Sequence, residues 1–108
     1  MYQRLSVPIK IHRGASFQRF FAAYDLDAFP VNLNEVTFEA YIEKPTLGGP
    51  ELEFSVVVVD AVQGLFDLVL TSDETLVLSD HAYVYKVFIV EENSNKHLIY
   101  HGSVSIGM

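Results

Sequence analysis

Two segments in the last quarter decide the fold: Ala82-Tyr-Val-Tyr-Lys-Val-Phe-Ile-Val90 and His97-Leu-Ile-Tyr-His-Gly-Ser-Val-Ser-Ile106. Both are rich in β-branched and aromatic residues, and the six polar residues 91–96 between them cannot continue a buried strand. This pattern predicts a long β-hairpin. The first arm is apolar on both faces except at Lys86, which predicts a strand in the middle of a sheet.

Length and composition indicate a single domain over residues 1–108. Half of the 108 residues are hydrophobic, enough for one core without a metal or disulfide. The sequence has no cysteine, which excludes disulfides, thiolate nucleophiles and zinc–thiolate sites. Fourteen acidic residues against seven basic ones give a net charge of −7. Because this field repels a phosphate backbone, we expect no nucleic-acid partner.

The hydrophobic segments are short. The apolar runs, such as 56–59, are far below the roughly 18 residues that cross a bilayer, so we expect no membrane partner. Residues 1–5 lack the apolar centre of a signal peptide. The protein is therefore expected to be made in the cytoplasm of the cell that produces it.

The earlier part of the chain alternates short strands with turns. Pro8 has no N–H to donate, which favours a sheet edge for its strand. Thr71 and Glu74 fit a capping box, so either one helical turn or a short extended bridge precedes the hairpin. The apolar run inside 51–60 predicts a strand buried on both faces or lying against a partner. The predicted strands before the hairpin are 5–12, 16–24, 36–43, 51–60 and 65–71.

The spacing of these strands predicts the fold class. About seven strands, with turn signals every eight to twelve residues or so, are typical of an all-β fold. We expect an antiparallel two-sheet β-sandwich of the immunoglobulin-like kind. Segment 44–50 has two of the four prolines and two of the six glycines, which predicts an exposed, mobile loop.

No residue pattern in the chain is typical of catalysis or cofactor binding. The chain has no Gly-x-Ser-x-Gly motif and no EF-hand spacing in its acidic turns. His97 and His101 are predicted on one face of a strand but roughly 13 Å apart, too far for one ion. We therefore expect no catalytic, cofactor-binding or metal site. Structural roles are expected for the four histidines: His12, His81, His97 and His101.

The six tyrosines leave a second function open. Tyr41, Tyr85 and Tyr100 are candidates for a row of exposed rings that stack on sugars, as in a carbohydrate-binding module. Core packing or subunit contact explains the same residues equally well.

The chain has more apolar strand surface than a small sandwich can cover. Segments 54–59 and 82–90 are apolar on both faces, whereas a two-layer domain covers only the inner one. An uncovered apolar face usually marks an interface. We therefore expect a homo-oligomer or assembly with a larger particle. Five residues are predicted to be buried, some of them in subunit contacts: Phe54, Val56, Val58, Tyr85 and Val87.

Several segments, taken in order, carry a resemblance to a known family. They are Ile11-His-Arg-Gly-Ala-Ser-Phe17, Pro30-Val-Asn-Leu33, Val36-Thr-Phe-Glu-Ala-Tyr-Ile-Glu43, Gly64-Leu-Phe-Asp-Leu-Val-Leu-Thr71, Tyr83-Val-Tyr85 and the closing strand 98–106 with Gly102. Their order and spacing resemble the small β-sandwich domain at the N-terminus of phage upper-baseplate and tail-fibre attachment proteins.

The resemblance implies a non-enzymatic virion protein without a cofactor. Such a protein would bind itself or other virion proteins in a tail or baseplate. Longer family members continue into a fibre region, whereas this sequence stops at Met108. The expected role is therefore that of an adaptor or decoration protein.

Overall fold

The structure, a computed structural model, describes residues 2–45, 50–79 and 82–107. Within these residues the chain forms nine strands, one short helix and a 3₁₀ turn at Leu33–Glu35. The helix is α1 (Ser72–Thr75). The strands are β1 (Leu5–Ser6), β2 (Ile9–His12), β3 (Phe17–Ala22), β4 (Val36–Glu43), β5 (Pro50–Glu53), β6 (Ser55–Asp60), β7 (Leu65–Leu70), β8 (Tyr83–Glu91) and β9 (Lys96–Gly107).

These strands form two sheets packed face to face. Over the described ranges, the large sheet has six strands in the order β1-β9-β8-β4-β5, with β2 also on β9. The small sheet has three strands in the order β3-β7-β6. The predicted immunoglobulin-like sandwich is confirmed, with the hairpin β8–β9 at its centre. One pairing differs from the prediction, because β1 and β2 run parallel to β9.

Side-chain alternation along β8 supplies much of the core. The inward residues Tyr83, Tyr85, Val87 and Ile89 are buried, whereas the outward ones are half-buried. On the outward face the ring of Phe88 is partly covered by the Lys96 ammonium, 4.6 Å from its centroid. The sequence predicted that both faces of this strand are shielded from solvent. The inner face is fully buried, and the outer face is only half-buried.

The predicted strand 5–12 is interrupted at Val7. The Val7 amide donates to the His101 carbonyl oxygen at 2.9 Å, while its own carbonyl accepts a hydrogen bond from the Tyr85 hydroxyl. A Cβ at Gly102 would collide with this same carbonyl. The missing side chain at Gly102 thus lets the N-terminal segment cross close to β9.

The predicted strand 51–60 is two strands, and Phe54 is the point of division. Its amide donates to the Ala40 carbonyl at 2.9 Å, and its ring lies in the core. On either side of it, β5 pairs with β4 and β6 pairs with β7. The chain therefore passes from the large sheet to the small one at this residue. Burial of the whole segment within one chain is excluded, because β6 lies at a sheet edge, and the alternative predicted for it, contact with a partner, stays a prediction.

An aromatic cluster holds the two sheets together. Phe21 and Phe66 belong to the small sheet, and Phe38 and Tyr100 to the large one. Ring centroids are 4.6 Å apart for Phe21–Tyr100 and 4.8 Å apart for Phe38–Phe66. The Tyr100 hydroxyl also donates to the carbonyl oxygen of Ala22, so a hydrogen bond accompanies the ring packing.

The connection from β7 to β8 contains the predicted helical turn. Thr71 Oγ1 accepts from the Glu74 amide at 3.1 Å, and Glu74 Oε1 accepts from the Thr71 amide at 2.8 Å. This reciprocal pair confirms the capping box. Further on, the Tyr83 hydroxyl accepts from the Ser79 amide at 3.0 Å. A tyrosine in this position is the tyrosine corner of immunoglobulin-like sandwiches.

Two predictions fall partly or wholly outside the described residues. The predicted loop 44–50 includes residues 46–49, and the structural role expected for His81 concerns a residue in the second gap. Across the three described ranges, no helix combines the length and apolar character needed to cross a bilayer.

The aromatic cluster makes a testable prediction about stability. Phe66→Ala removes a fully buried ring and should lower the free energy of unfolding by about 3–5 kcal/mol. Phe20→Ala, on the adjacent strand, removes a ring that is 56% exposed and should change it by less than about 0.5 kcal/mol. Urea denaturation of both variants measures the difference, and equal losses would contradict the assigned core.

Candidate protein-contact surface

Most of the exposed large apolar side chains lie on the small sheet or on its connections. Among the described residues, eleven large hydrophobic side chains are exposed. Eight of them lie on the small sheet or on the connections that follow β3 and β6, and we call this set the small-sheet surface. Its members are Phe20, Tyr24, Leu26, Phe29, Val57, Val58, Val59 and Val62. The other three are Leu5, Leu76 and Val77.

One row of this surface crosses the outer face of the small sheet. Phe20 and Val57 both pair with Asp67 on the central strand β7. Directly opposite residues of antiparallel strands share a face, so the two apolar side chains flank this carboxylate. Gln18 Nε2 donates to Asp67 Oδ2 at 2.8 Å. Phe20 and Val57 remain 56% and 50% exposed.

The loop that follows β3 displays two large apolar side chains, Leu26 and Phe29. Asp25 fixes its shape, because one carboxylate oxygen accepts from the amides of Asp27 and Phe29 at 2.9 and 3.0 Å. Backbone bonds from Asp25 to Phe29 and from Ala28 to Asp25 close the turn. Leu26 and Phe29 are nevertheless 67% and 66% exposed. The loop is therefore held in place by its polar atoms while its apolar side chains face solvent.

The β6–β7 turn lies beside this loop. The Ala23 amide donates to the Gly64 carbonyl at 2.9 Å, and the Val31 amide donates to the Ala23 carbonyl at 3.0 Å. Gly64 has φ +71°, and a Cβ there would lie 2.6 Å from the Ala23 oxygen, so glycine is needed for this close approach. The turn consequently places exposed Val62 at the same end of the sandwich as the loop after β3.

The outer face of the large sheet has a different character. Lys86 pairs with Glu43 at 2.8 Å, and Lys96 pairs with Glu39 at 3.1 Å. Ion pairs between solvated side chains contribute little to stability, but they make this face polar. The outer face of the large sheet is therefore polar, whereas that of the small sheet carries exposed apolar side chains.

A polar cluster lies at the end of the hairpin. Glu91 accepts from the Tyr2 hydroxyl at 3.0 Å and bonds His97 Nε2 at 2.7 Å. The bonds from His97 and then Tyr2 hold the pKa of Glu91 below its usual value. Burial, followed by the bond to Glu91, raises the pKa of Tyr2 to about 12. His97 and Tyr2 thus stabilise the Glu91 carboxylate, and Glu91 in turn helps to keep the Tyr2 hydroxyl protonated.

An open cleft of about 500 Å³ borders this cluster and is lined partly by Glu35, Glu91 and Glu92. Across the described part of the chain, no three histidine or acidic side chains are grouped as a metal site would require. The cleft also contains no nucleophile with an adjacent base among its lining residues. Its geometry therefore supports no particular chemistry.

The five predicted interface residues separate into two groups. Phe54, Tyr85 and Val87 are buried as predicted, but within the core of a single chain. They are therefore unavailable to another subunit. Val56 is half-buried against the core and Val58 is 44% exposed in the single chain, so for these two the predicted burial in a subunit contact stays a prediction. Only the β6 residues of the predicted set reach the surface.

The proposed row of sugar-stacking tyrosines does not form. Tyr85 and Tyr100 are in the core, at 0% and 7% exposure. Tyr41 is half-buried on the outer face of the large sheet, where it stacks on Phe88 at 6.1 Å. Alternation along the strands explains the difference, because inward tyrosines of the large sheet pack against the small sheet.

The expected common face of His97 and His101 is also wrong. A bulge in β9 leaves Ile99 without a partner, so His97 pairs with inward-facing Ile89 and His101 with Lys86 on the outer side. One extra residue reverses the alternation of a strand. His12 is an exposed residue at the end of β2, where it pairs with Gly107 rather than with either of these histidines.

Sequence reasoning missed Leu26 and Phe29 as surface residues. Segment 25–30 lies between the predicted strands 16–24 and 36–43 and forms a turn, but the exposure of its two apolar side chains was not predicted. The available signal was two large apolar residues inside a turn closed by aspartate. In this turn the two side chains remain 67% and 66% exposed.

The fold of this chain is shared by solved structures of other proteins. No family model matches the sequence, and no curated protein matches it. An internalin-like protein from Listeria monocytogenes is similar in structure, with 14% identity and a TM-score of 0.51 over 97% of this chain. A mutant of the SrpA adhesin from Streptococcus sanguinis gives 17% identity and a TM-score of 0.50 over 98%.

The matched part is a fraction of each of these two proteins. This chain spans 30% of the internalin-like structure and 58% of the adhesin structure. At such low identity the likeness establishes a shared β-sandwich fold. One neighbour is thus a bacterial adhesin, and neither is a phage baseplate protein.

Stability at alkaline pH tests the burial of the tyrosines. Burial raises the pKa of Tyr85 to about 12, as it does for Tyr2, against 10.0 for an exposed tyrosine. The folded state therefore holds both protons more tightly than the unfolded state. This contribution is present below pH 10 and should be lost as the pH rises towards about 12. Urea denaturation at stepped pH measures it, and constant stability across that range would contradict the assignment.

Proposed function

We propose that this chain is a non-enzymatic domain that acts by binding other protein subunits through the small-sheet surface. One observation carries the proposal: eight of the eleven exposed large apolar side chains in the described residues lie on that side. Monomeric proteins rarely leave apolar surface so concentrated, and such patches mark contact sites. The polar outer face of the large sheet provides the contrast within the same molecule.

The position of the exposed loop supports a recognition role. The β3–β4 and β8–β9 connections correspond to the B–C and F–G loops of an immunoglobulin fold. Variable domains of antibodies use that end of the sandwich to bind their targets. Leu26 and Phe29 stand on the first of these loops, whose shape is fixed by Asp25. A rigid loop loses little conformational entropy on binding, which favours affinity.

A phage virion is the setting that we propose for this binding. The support is the order of sequence segments that resembles the baseplate and tail-fibre attachment domain. The partners would be copies of this chain or other virion proteins, assembled after synthesis in the host cytoplasm. An adaptor role suits a small domain that has an apolar side and a polar side. The adhesin fold of one structural neighbour is consistent with binding a protein.

The structure argues against the alternative function, a carbohydrate-binding module. It requires coplanar exposed rings, and two of its three tyrosines lie in the core. We therefore retain protein binding as the proposed function.

Binding to neighbouring gene products tests this function. Each protein encoded beside this chain in its genome is purified and measured by biolayer interferometry against the immobilised wild type and Phe29→Ser. Loss of an exposed aromatic anchor should weaken binding at least about tenfold. Val77→Ser is the matched control, since Val77 is 61% exposed but lies just after α1, away from the small-sheet surface. It should bind as the wild type does.

Two results would contradict the proposal. One is a partner whose affinity is unaffected by Phe29→Ser and Phe20→Ser but is lost on Lys86→Glu, which alters the outer face of the large sheet. The other is a monomeric protein that binds none of these gene products. Circular dichroism and thermal unfolding confirm that each variant is folded.

A further inference from the structure

We infer that β6 pairs antiparallel with β6 of a second copy, so that two small sheets join into one continuous six-stranded sheet. The inference rests on the proposed function, since it names a partner for the β6 side of the small-sheet surface. β6 pairs on one side with β7 and is an edge strand of the small sheet. Along its other side, alternate residues direct N–H and C=O groups towards solvent.

The edges of the large sheet carry the features that prevent such pairing. Strand β5 contains Pro50, Glu51 and Glu53 in four residues. The opposite edge is divided into β1 and β2, with Pro8 between them and Lys10 exposed on β2. Proline, charge and short strand length are the usual means of blocking edge-to-edge association. Neither edge therefore offers a site for another strand.

The β3 edge of the small sheet is protected as well. The exposed Arg19 guanidinium lies 5.7 Å from the Phe21 ring centroid and donates to the Pro8 carbonyl oxygen at 3.4 Å. A charged side chain and the N-terminal segment thus lie along this strand. A second chain that paired here would have to displace both.

β6 lacks these protective features over five consecutive residues. From Ser55 to Val59 it contains no charged residue and no proline. Val57, Val58 and Val59 are 50%, 44% and 54% exposed. Among the edge strands in the described residues, this combination of uncharged sequence and β-branched side chains is found in β6 alone. Such a segment is well suited to strand pairing.

The position of the charged residue in β6 favours antiparallel over parallel pairing with a second copy. A two-fold axis at Val57 places Val57 opposite its own counterpart and Val56 opposite Val58. The strand's acidic residue, Asp60, then lies roughly 20 Å from the Asp60 of the other copy, at about 3.3 Å per residue. Parallel pairing would instead put the two carboxylates side by side. A strand with no charge at its centre is thus self-complementary in this register.

A bulge limits the length of the pairing. The register of β6 against β7 shifts between Val58 and Asp60, which leaves Val59 as the extra residue. A bulge twists a strand and ends regular pairing. The shared ladder is therefore expected to be short and centred on Val57, and the resulting dimer should dissociate on dilution.

Sedimentation velocity over a wide concentration range tests the pairing. The wild type should form a dimer in equilibrium with monomer. Val57→Lys places two ammonium groups opposite each other at the two-fold axis and should raise the dimer dissociation constant at least about 100-fold. Val62→Lys adds the same charge on the neighbouring turn, where the side chain is 60% exposed, and should leave the constant within about threefold of the wild type.

Cross-linking provides a test that does not depend on a disruptive substitution. The chain has no cysteine, so Val57→Cys introduces a unique thiol. Directly opposite Cβ atoms of paired strands are about 4.5–5.5 Å apart, close enough for a disulfide after small adjustments. Mild oxidation should link Val57→Cys chains into dimers at least about tenfold faster than Val62→Cys or Val77→Cys chains. Equal rates in the three variants would overturn the pairing.

The remaining outcomes separate this inference from the proposed function. A wild type that stays monomeric at all concentrations, yet binds a neighbouring gene product through Phe29, overturns the pairing alone. A dimer that survives Val57→Lys has the same consequence. A monomer that binds no neighbouring gene product overturns both.

Discussion

The contact of Tyr100 with Phe21 and Phe66 is the constraint on which the two-layer architecture depends. It joins the last strand of the large sheet to two strands of the small one, with Phe21 and Tyr100 centroids 4.6 Å apart. The Tyr100 hydroxyl also bonds the backbone at Ala22. Burial raises the pKa of Tyr100, so this hydroxyl stays protonated as a donor. Ring packing thus sets how closely the sheets approach, and the hydroxyl fixes their alignment.

The two sheets differ in size, and their edges account for part of the exposed apolar surface. The small sheet has three strands, so two of them, β3 and β6, are edge strands. The chain protects one of those edges with Arg19 and leaves the valines of β6 exposed. At the same time, ion pairs such as Lys86–Glu43 cover the large sheet. The sandwich is therefore apolar on one side, which suits a protein that functions in contact with others.

Local patterns in the sequence predict much of the fold. The hairpin, the strand 36–43 and the capping box at Thr71 depend on neighbouring residues, and all three are confirmed. The division at Phe54 could not be predicted, because a strand that changes sheets keeps the same apolar pattern throughout. The bulge at Ile99 leaves no compositional signal either. The candidate surface was only partly predicted. Val58 is exposed because β6 lies at a sheet edge, and the order of strands in a sheet cannot be read from the local sequence.

The parallel pairing of β1 and β2 with β9 has a mechanical consequence. Tension applied between the residues before β1 and those after β9 pulls two parallel neighbours in opposite directions along their length. The hydrogen bonds between them are then loaded together in shear, whereas an antiparallel terminal pair would open one bond at a time. The Tyr85 hydroxyl and the close crossing at Gly102 lie at the centre of this junction. A load applied along β1 and β9 therefore meets more resistance than it would at an antiparallel terminal pair.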